Sequence, residues 1–192
     1  MGMNTPQRDA ELERQIAERI SATPNHCFEN CERAMRDHAI LMLFLTLGVR
    51  LDAVQSVTVD ALRIVGDVMY LTYRNKGGEQ ATRRIPNNAA RSIADWLQVR
   101  GLDDGLLFGV TRRMIQHMVL TYCNRAFGKG HGITVHSLRH TAAMNADEAG
   151  AKFSEINRLL DHKSARVTAI YLDHIKKGNA DAMSARLDER YG

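Results

Sequence analysis

A chain of 192 residues is long enough for one sizeable hydrophobic core and short of two comfortable ones. With 44% hydrophobic and 25% charged residues its composition is ordinary for a globular protein, which sets aside low-complexity and membrane-embedded classes. Basic residues exceed acidic ones by 26 to 22, a net charge of +4, a balance that permits nucleic-acid binding without requiring it. Three cysteines (Cys27, Cys31 and Cys123) form an odd set at no metal-ligand spacing and are expected to be thiols in a reducing compartment. The longest apolar run, Ala39 to Val49, is about half of what a membrane span requires. The polar first residues do not read as a signal peptide, so the expectation is a soluble, cytoplasmic protein.

In chain order, Asp9–Ser21 places Leu12, Ile16 and Ile20 at four-residue steps and predicts an amphipathic helix that Pro24 breaks. A second helix is expected over Phe28–Leu47, its latter half apolar enough to be buried, with Gly48 as its C-cap. Arg50 follows at once, and LDAVQSV reads as a short helix. The middle then changes character. Leu62–Val65, Val68–Tyr73 and Thr82–Ile85 are short and rich in β-branched or aromatic residues, separated by Gly66-Asp67 and by NKGGEQ, which predicts a small antiparallel meander. Pro86 and Asn87 open a helix running through Trp96 and Val99, Gly101–Gly105 is a loop, and Thr111 caps a helix reaching Phe127. After a flexible connector at Gly128–Gly132, Thr134 starts the helix carrying His136-Ser137-Leu138-Arg139-His140. Short helices over Phe153–Leu160 and Ser164–Leu172 and a polar tail helix over Asn179–Arg190 complete the reading. The fold class is α+β: mostly α-helical, with a three-stranded antiparallel sheet packed beside a helical bundle.

The chemistry concentrates between His136 and Tyr171. On a helix, His136 and His140 are four apart and share a face, with Arg139 beside it. Two histidines, an arginine and a later tyrosine are parts suited to binding an anionic phosphate and attacking it covalently. Each has a plainer reading: a lone arginine is commonly a surface ion pair, and Tyr171 in TAIYLDH could be a half-buried core aromatic. A zinc pair at His136 and His140 is the sharper alternative, but no glutamate stands at position 137 and no third ligand is evident.

Gly-Val-Arg at 48–50, Lys76 in the hairpin turn, His-Ser-Leu-Arg-His at 136–140, Leu-Asp-His at 160–162 and Tyr171 resemble, in order and spacing, the tyrosine recombinases, the phage-integrase-like enzymes. Each motif is weak alone; five in register are not. The resemblance implies that Arg50 and Arg139 clamp the phosphate, since each planar fork gives two hydrogen bonds and keeps its charge. It implies Tyr171 as nucleophile, His136 as general base and His162 as a hydrogen-bond donor to the phosphate. Lys76 would be the general acid, with Arg74 and Arg83 as neighbouring rivals and a solvated turn lysine as the plain alternative. His140 reads as a packing histidine. The implied reaction is site-specific cleavage and rejoining of double-stranded DNA through a 3′-phosphotyrosine, with no metal or other cofactor, in a tetramer on DNA and in the setting of a mobile genetic element. Two departures stand out: Ala53 where the family carries an acidic residue, with Asp52 one place early, and Asp161 where it carries glycine.

The expected organisation is a leader over 1–27, a catalytic domain over 28–177, and a tail over 178–192 that docks on a neighbouring protomer or on its own domain. Residues 1–27 are too short for the N-terminal helical domain common in the family, which implies a catalytic-domain fragment or a short recombinase resembling the fimbrial switch invertases. A type IB topoisomerase would use the same residues. A non-catalytic DNA-binding module is the alternative from another class, with Ala53 and Asp161 as its support.

Overall fold

The computed structural model describes residues 28–75 and 78–160. Its first helix, α1 (Phe28–Leu47), is apolar on every side through Ala39–Leu45. A helix segment without a polar face is stable only when surrounded, and Ile40, Leu41, Leu43 and Phe44 are each exposed by 1% or less. The helix stops where Gly48 takes φ = 57°, a left-handed backbone that a Cβ would disfavour. After the buried Val49, Arg50 sits in extended conformation as the N-cap of α2 (Leu51–Ser56). A 3₁₀ turn at Val59–Ala61 leads into the sheet.

The sheet contains β1 (Leu62–Val65), β2 (Val68–Arg74) and β3 (Gln80–Arg84), antiparallel in the order β1-β2-β3. Along β2 the burial alternates residue by residue: Met69, Leu71 and Tyr73 enter the core and the residues between them do not. That period of two marks a sheet with one face packed and one face free. The third strand starts and ends earlier than the apolar pattern at Thr82–Ile85 predicts. The reason is the turn. The Asn75 N–H donates to the Glu79 carbonyl at 2.8 Å and the Gly78 N–H to the Asn75 carbonyl at 3.0 Å, so the ladder resumes at Gln80. Ile85 lies just past the strand, buried, its N–H donating to the Met69 carbonyl at 2.8 Å.

Beyond Pro86, α3 (Asn87–Arg100) packs along α1, with Ala89 and Ile93 completely buried. Its C-terminal end is fastened to the segment that follows. The Trp96 Nε1–H donates to the Leu107 carbonyl at 2.7 Å, and the Arg100 guanidinium donates to the carbonyls of Leu106, Gly101 and Asp103 at 3.0, 3.1 and 2.8 Å. The same segment pairs with the exit of α2, through the Leu107 N–H to the Val57 carbonyl at 2.9 Å and the Val59 N–H to the Gly105 carbonyl at 3.0 Å.

Thr111 then caps α4 (Arg112–Phe127), its Oγ1 accepting from the Met114 N–H at 3.3 Å. Ile115, Val119 and Cys123 of α4 enter the core. Tyr122 donates its hydroxyl to Asp37 Oδ2 on α1 at 3.4 Å, and Asp37 is also bonded by Arg36 at 2.9 Å, so this buried carboxylate has the charged partner it needs. Two further helices follow, α5 (Val135–Glu148) and α6 (Phe153–Leu159).

The chain divides into two compact units between Ala142 and Ala143, inside α5. The first holds the core just described. In the second, Ala143, Ile156 and Leu160 form a small apolar cluster with Ala146 and Ala151, and the Glu155 carboxylate accepts the Lys152 N–H at 2.6 Å ahead of α6. Among the described residues no helix is long and apolar enough to cross a membrane. The helices expected over Asp9–Ser21, Ser164–Leu172 and Asn179–Arg190 lie outside the described residues.

His38 on α1 supplies a pH test of this packing. Burial holds its imidazole below the ordinary histidine value of 6.5, opposed in part by the Asp95 carboxylate on α3. A depressed folded-state value means that below about pH 6.5 the unfolded chain takes up the proton first, so this contribution to stability is present above that pH and is lost on acidification. Thermal melts should therefore show a larger drop in Tm between about pH 7.5 and 5.5 for the parent protein than for His38→Gln. Equal drops would remove His38 as a source of acid sensitivity.

Candidate functional site

One expected site residue, Arg139 near the start of α5, reaches the backbone where α1 gives way to α2. The start of α5 is fixed by reciprocal capping. The Ser137 hydroxyl accepts the Thr134 N–H at 3.1 Å, and the Thr134 hydroxyl accepts the Ser137 N–H at 3.4 Å. That places His136 in the first helical turn, exposed to solvent. One turn on, the His140 ring stands edge-to-face with the His136 ring, centroids 4.6 Å apart and planes at 84°. Among the described residues no group of three His, Cys, Asp or Glu is placed to hold a metal ion, so the pair has no third ligand there.

Arg139 lies between the two histidines in sequence and is only 6% exposed. A guanidinium keeps its charge under any condition a protein meets, so one this deeply buried must be given acceptors. Its Nη1 donates to the backbone carbonyl of Gly48. Gly48 is two residues ahead of Arg50, so the bond ties the first turns of α5 to the backbone that presents the other arginine. Arg50 is half-buried; its carbonyl accepts the Val54 N–H at 3.2 Å, and its side chain makes no capping bond.

The departures around Arg50 acquire a physical form. Ala53 belongs to the apolar core, 4% exposed, so α2 brings no carboxylate to that position. Asp52 does not substitute for it: its carboxylate is exposed and pairs with Arg112, the first residue of α4. Two arginines, Arg112 and Arg113, open that helix without an acidic residue in its first turn, against the sense of the helix dipole. Asp52 offsets part of that cost.

Of the six residues singled out in sequence, Arg50, His136 and Arg139 are described, whereas Lys76, His162 and Tyr171 lie outside the described residues, as does Asp161. The hairpin that carries Lys76 is framed by Asn75 and Glu79. Sequence reasoning missed three contributors: the Gly48 carbonyl, the Asp52–Arg112 pair and His131. The last accepts the Ile133 N–H on Nδ1 at 2.7 Å and stands edge-on to Phe127, its ring centroid 6.5 Å away, which braces the glycine-rich connector just ahead of α5. Its Nε2 is buried with no hydrogen-bond partner among the described residues. The one sequence signal for any of these was Arg112, standing directly after a helix cap where a carboxylate is the favoured neighbour.

Residues 12–177 match the model of the phage integrase family. Among curated proteins, the tyrosine recombinase XerC of Pseudomonas entomophila is 29% identical over 148 residues, which cover 72% of this chain and 48% of that protein. A putative integrase/recombinase y4rC of Sinorhizobium fredii is 30% identical over 151 residues, 72% of this chain and 45% of that protein. The chain thus spans about half the length of the curated relatives it matches. Among solved structures, the XerH site-specific recombinase bound to palindromic difH substrate in a post-cleavage complex superposes with a TM-score of 0.72 at 19% identity, over 92% of this chain and 51% of that one. That likeness establishes the fold: the helices and the three-stranded sheet are those of a tyrosine recombinase catalytic domain.

The Arg139–Gly48 bond is open to a stability test. Arg139→Ala leaves a carbonyl inside the structure without its donor, a loss of about 1–3 kcal/mol, and should lower the urea midpoint accordingly. Arg139→Lys, which keeps a donor but not the planar fork, should fall between the two proteins. Midpoints for Arg139→Ala equal to the parent would mean that the bond contributes nothing to folding.

Proposed function

The chain belongs to the phage integrase family, and on that footing we propose that it cleaves and rejoins double-stranded DNA at specific sites, with Tyr171 as the nucleophile. One observation carries the reading. Arg139 is buried, charged and bonded to the backbone two residues ahead of Arg50, so one of two arginines suited to a phosphate is anchored beside the segment that carries the other.

In this mechanism Arg50 and Arg139 hold the scissile phosphate and stabilise the charge that grows on its non-bridging oxygens. The Tyr171 hydroxyl attacks phosphorus, His136 accepts the phenolic proton, and His162 donates a hydrogen bond to the phosphate. A bond forms between the tyrosine oxygen and phosphorus as the bond to the 5′-oxygen breaks, and Lys76 protonates that leaving oxygen. The product is a 3′-phosphotyrosine and a free 5′-hydroxyl. A 5′-hydroxyl from a partner strand reverses the step. The phosphoester energy is kept in the covalent link, so the cycle consumes no nucleotide. The XerH protein, whose fold is shared, is bound to its difH substrate, which supports duplex DNA as the partner. Four protomers on two DNA sites, acting in the cytoplasm, is the assembly proposed.

A second reading has a specific observation behind it. With Ala53 in the core and Asp52 engaged by Arg112, no acidic residue of α2 steadies Arg50. A domain that binds DNA without cutting it would tolerate that.

Covalent trapping separates the two. The protein is mixed with nicked duplex DNA of mixed sequence in the presence of a chelator, denatured, and examined for protein-linked DNA. The expected result is an adduct that Tyr171→Phe abolishes and that Arg139→Ala lowers by about 100-fold or more. DNA binding with no adduct in the parent protein would favour the non-catalytic module. An adduct that persists in Tyr171→Phe would reassign the nucleophile.

A further inference from the structure

The chemistry above leaves the outward face of the sheet unused. In register, Arg63 of β1 and Arg84 of β3 stand directly opposite Tyr70 of β2, one on each side. At about 4.8 Å per strand the two arginine positions are roughly 10 Å apart on one row. Farther along β2 on the same face lies Arg74, about 13 Å from Tyr70 at ~3.3 Å per residue. Between them, the hydroxyls of Thr72 and Thr82 are hydrogen-bonded to each other at 2.9 Å. Arg63, Arg74 and Arg84 are all exposed, and no side-chain hydrogen bond or ion pair engages them among the described residues. The three strands contain four arginines and no carboxylate; Asp67 and Glu79 lie outside them.

Like charges gathered on one sheet face repel one another, and among the described residues no carboxylate on the strands neutralises them. A polyanion would. We propose that the outward face of the sheet is a second DNA-contacting surface, on which Arg63, Arg84 and Arg74 neutralise backbone phosphates of the duplex beside the cleavage site. The inference rests on the reading of duplex DNA as substrate and adds to it a site that supplies affinity without chemistry. Its continuity favours DNA: the Arg74–Gln80 pair is the last rung before the turn that carries Lys76, so the face extends away from the proposed cleavage point. Its charge does so too, since the strands carry arginines and no carboxylate, a single sign of charge that suits a polyanion. With one phosphate per strand for every ~3.4 Å of helix axis, a duplex offers more than one partner within the 10 to 13 Å that separate these arginines.

The test compares the parent protein with Arg63→Ala, Arg84→Ala and the double variant in fluorescence anisotropy, with the same nicked duplex titrated across a range of salt concentrations. Arg74 is left in place because it adjoins the Lys76 turn. Each lost phosphate contact should reduce the slope of log affinity against log salt by about 0.9, or about 2 for the double variant. The rate of adduct formation at saturating DNA should not change. Arg63→Lys and Arg84→Lys should keep the parent slope, because a point charge suffices for a phosphate contact. A double variant with the parent slope overturns the proposal, as do lysine variants that lose as much slope as the alanine ones. If the parent protein forms its tyrosine adduct while the double variant keeps the slope, the sheet face alone is refuted and belongs to another partner. If the parent neither binds DNA nor forms an adduct, the cleavage reading falls and this face falls with it.

Discussion

A buried positive charge that cannot be neutralised sets the terms for this fold. Arg139 is almost fully enclosed, and its guanidinium reaches the Gly48 carbonyl across 91 residues of sequence. A free carbonyl there requires α1 to stop in a left-handed turn at Gly48, so the helix end and the arginine depend on each other. The same turn delivers Arg50 in extended conformation, its side chain not used as a cap. The apolar all-round packing of α1 against α3, α4 and the inner sheet face holds the carbonyl where α5 can meet it.

What the sequence reveals is local and periodic. The apolar stretch of α1, the alternation along β2, Thr111 as a cap and Thr134 at the start of α5 are all short-range signals, and the elements lie where those signals put them. The third strand is the instructive exception. Ile85 belongs to the core by composition, and it is buried, but strand membership is decided by the turn at Asn75–Glu79 rather than by where apolar residues stop. Of the candidate site, the residue types and their order were legible, along with the sharing of a helix face by His136 and His140. The partners were not. That Gly48 receives Arg139, that Arg112 receives Asp52, and that His131 takes the Ile133 N–H depend on chain segments meeting in space or on the path of a glycine-rich connector, neither of which periodicity encodes.

The departures at positions 52 and 53 show how one substitution redistributes electrostatics. With alanine at 53 the short helix α2 commits that position to the core. Asp52, left on the solvent side, joins a different element altogether, and an exposed pair of this kind contributes little to stability. Among the described residues, Arg139 and Asp37 are buried and bonded within the fold, whereas the arginines of the outward sheet face and at the head of α4 are exposed and unpaired or weakly paired.

The loop between α3 and α4 has a bearing on how the chain tolerates being cut or lengthened. Its residues Gly101–Gly105 look like a free surface connector, and Leu102 is 74% exposed. Yet Arg100 and Trp96 bind its carbonyls, and it is paired with the backbone after α2. Tolerance to insertion follows the bonding of the backbone rather than its exposure. A fluorescent tag or protease site placed there would pull apart the junction of α2, α3 and α4. The two-residue turn Gly66-Asp67, at the far end of an edge strand, offers such a graft a place that disturbs only one hairpin.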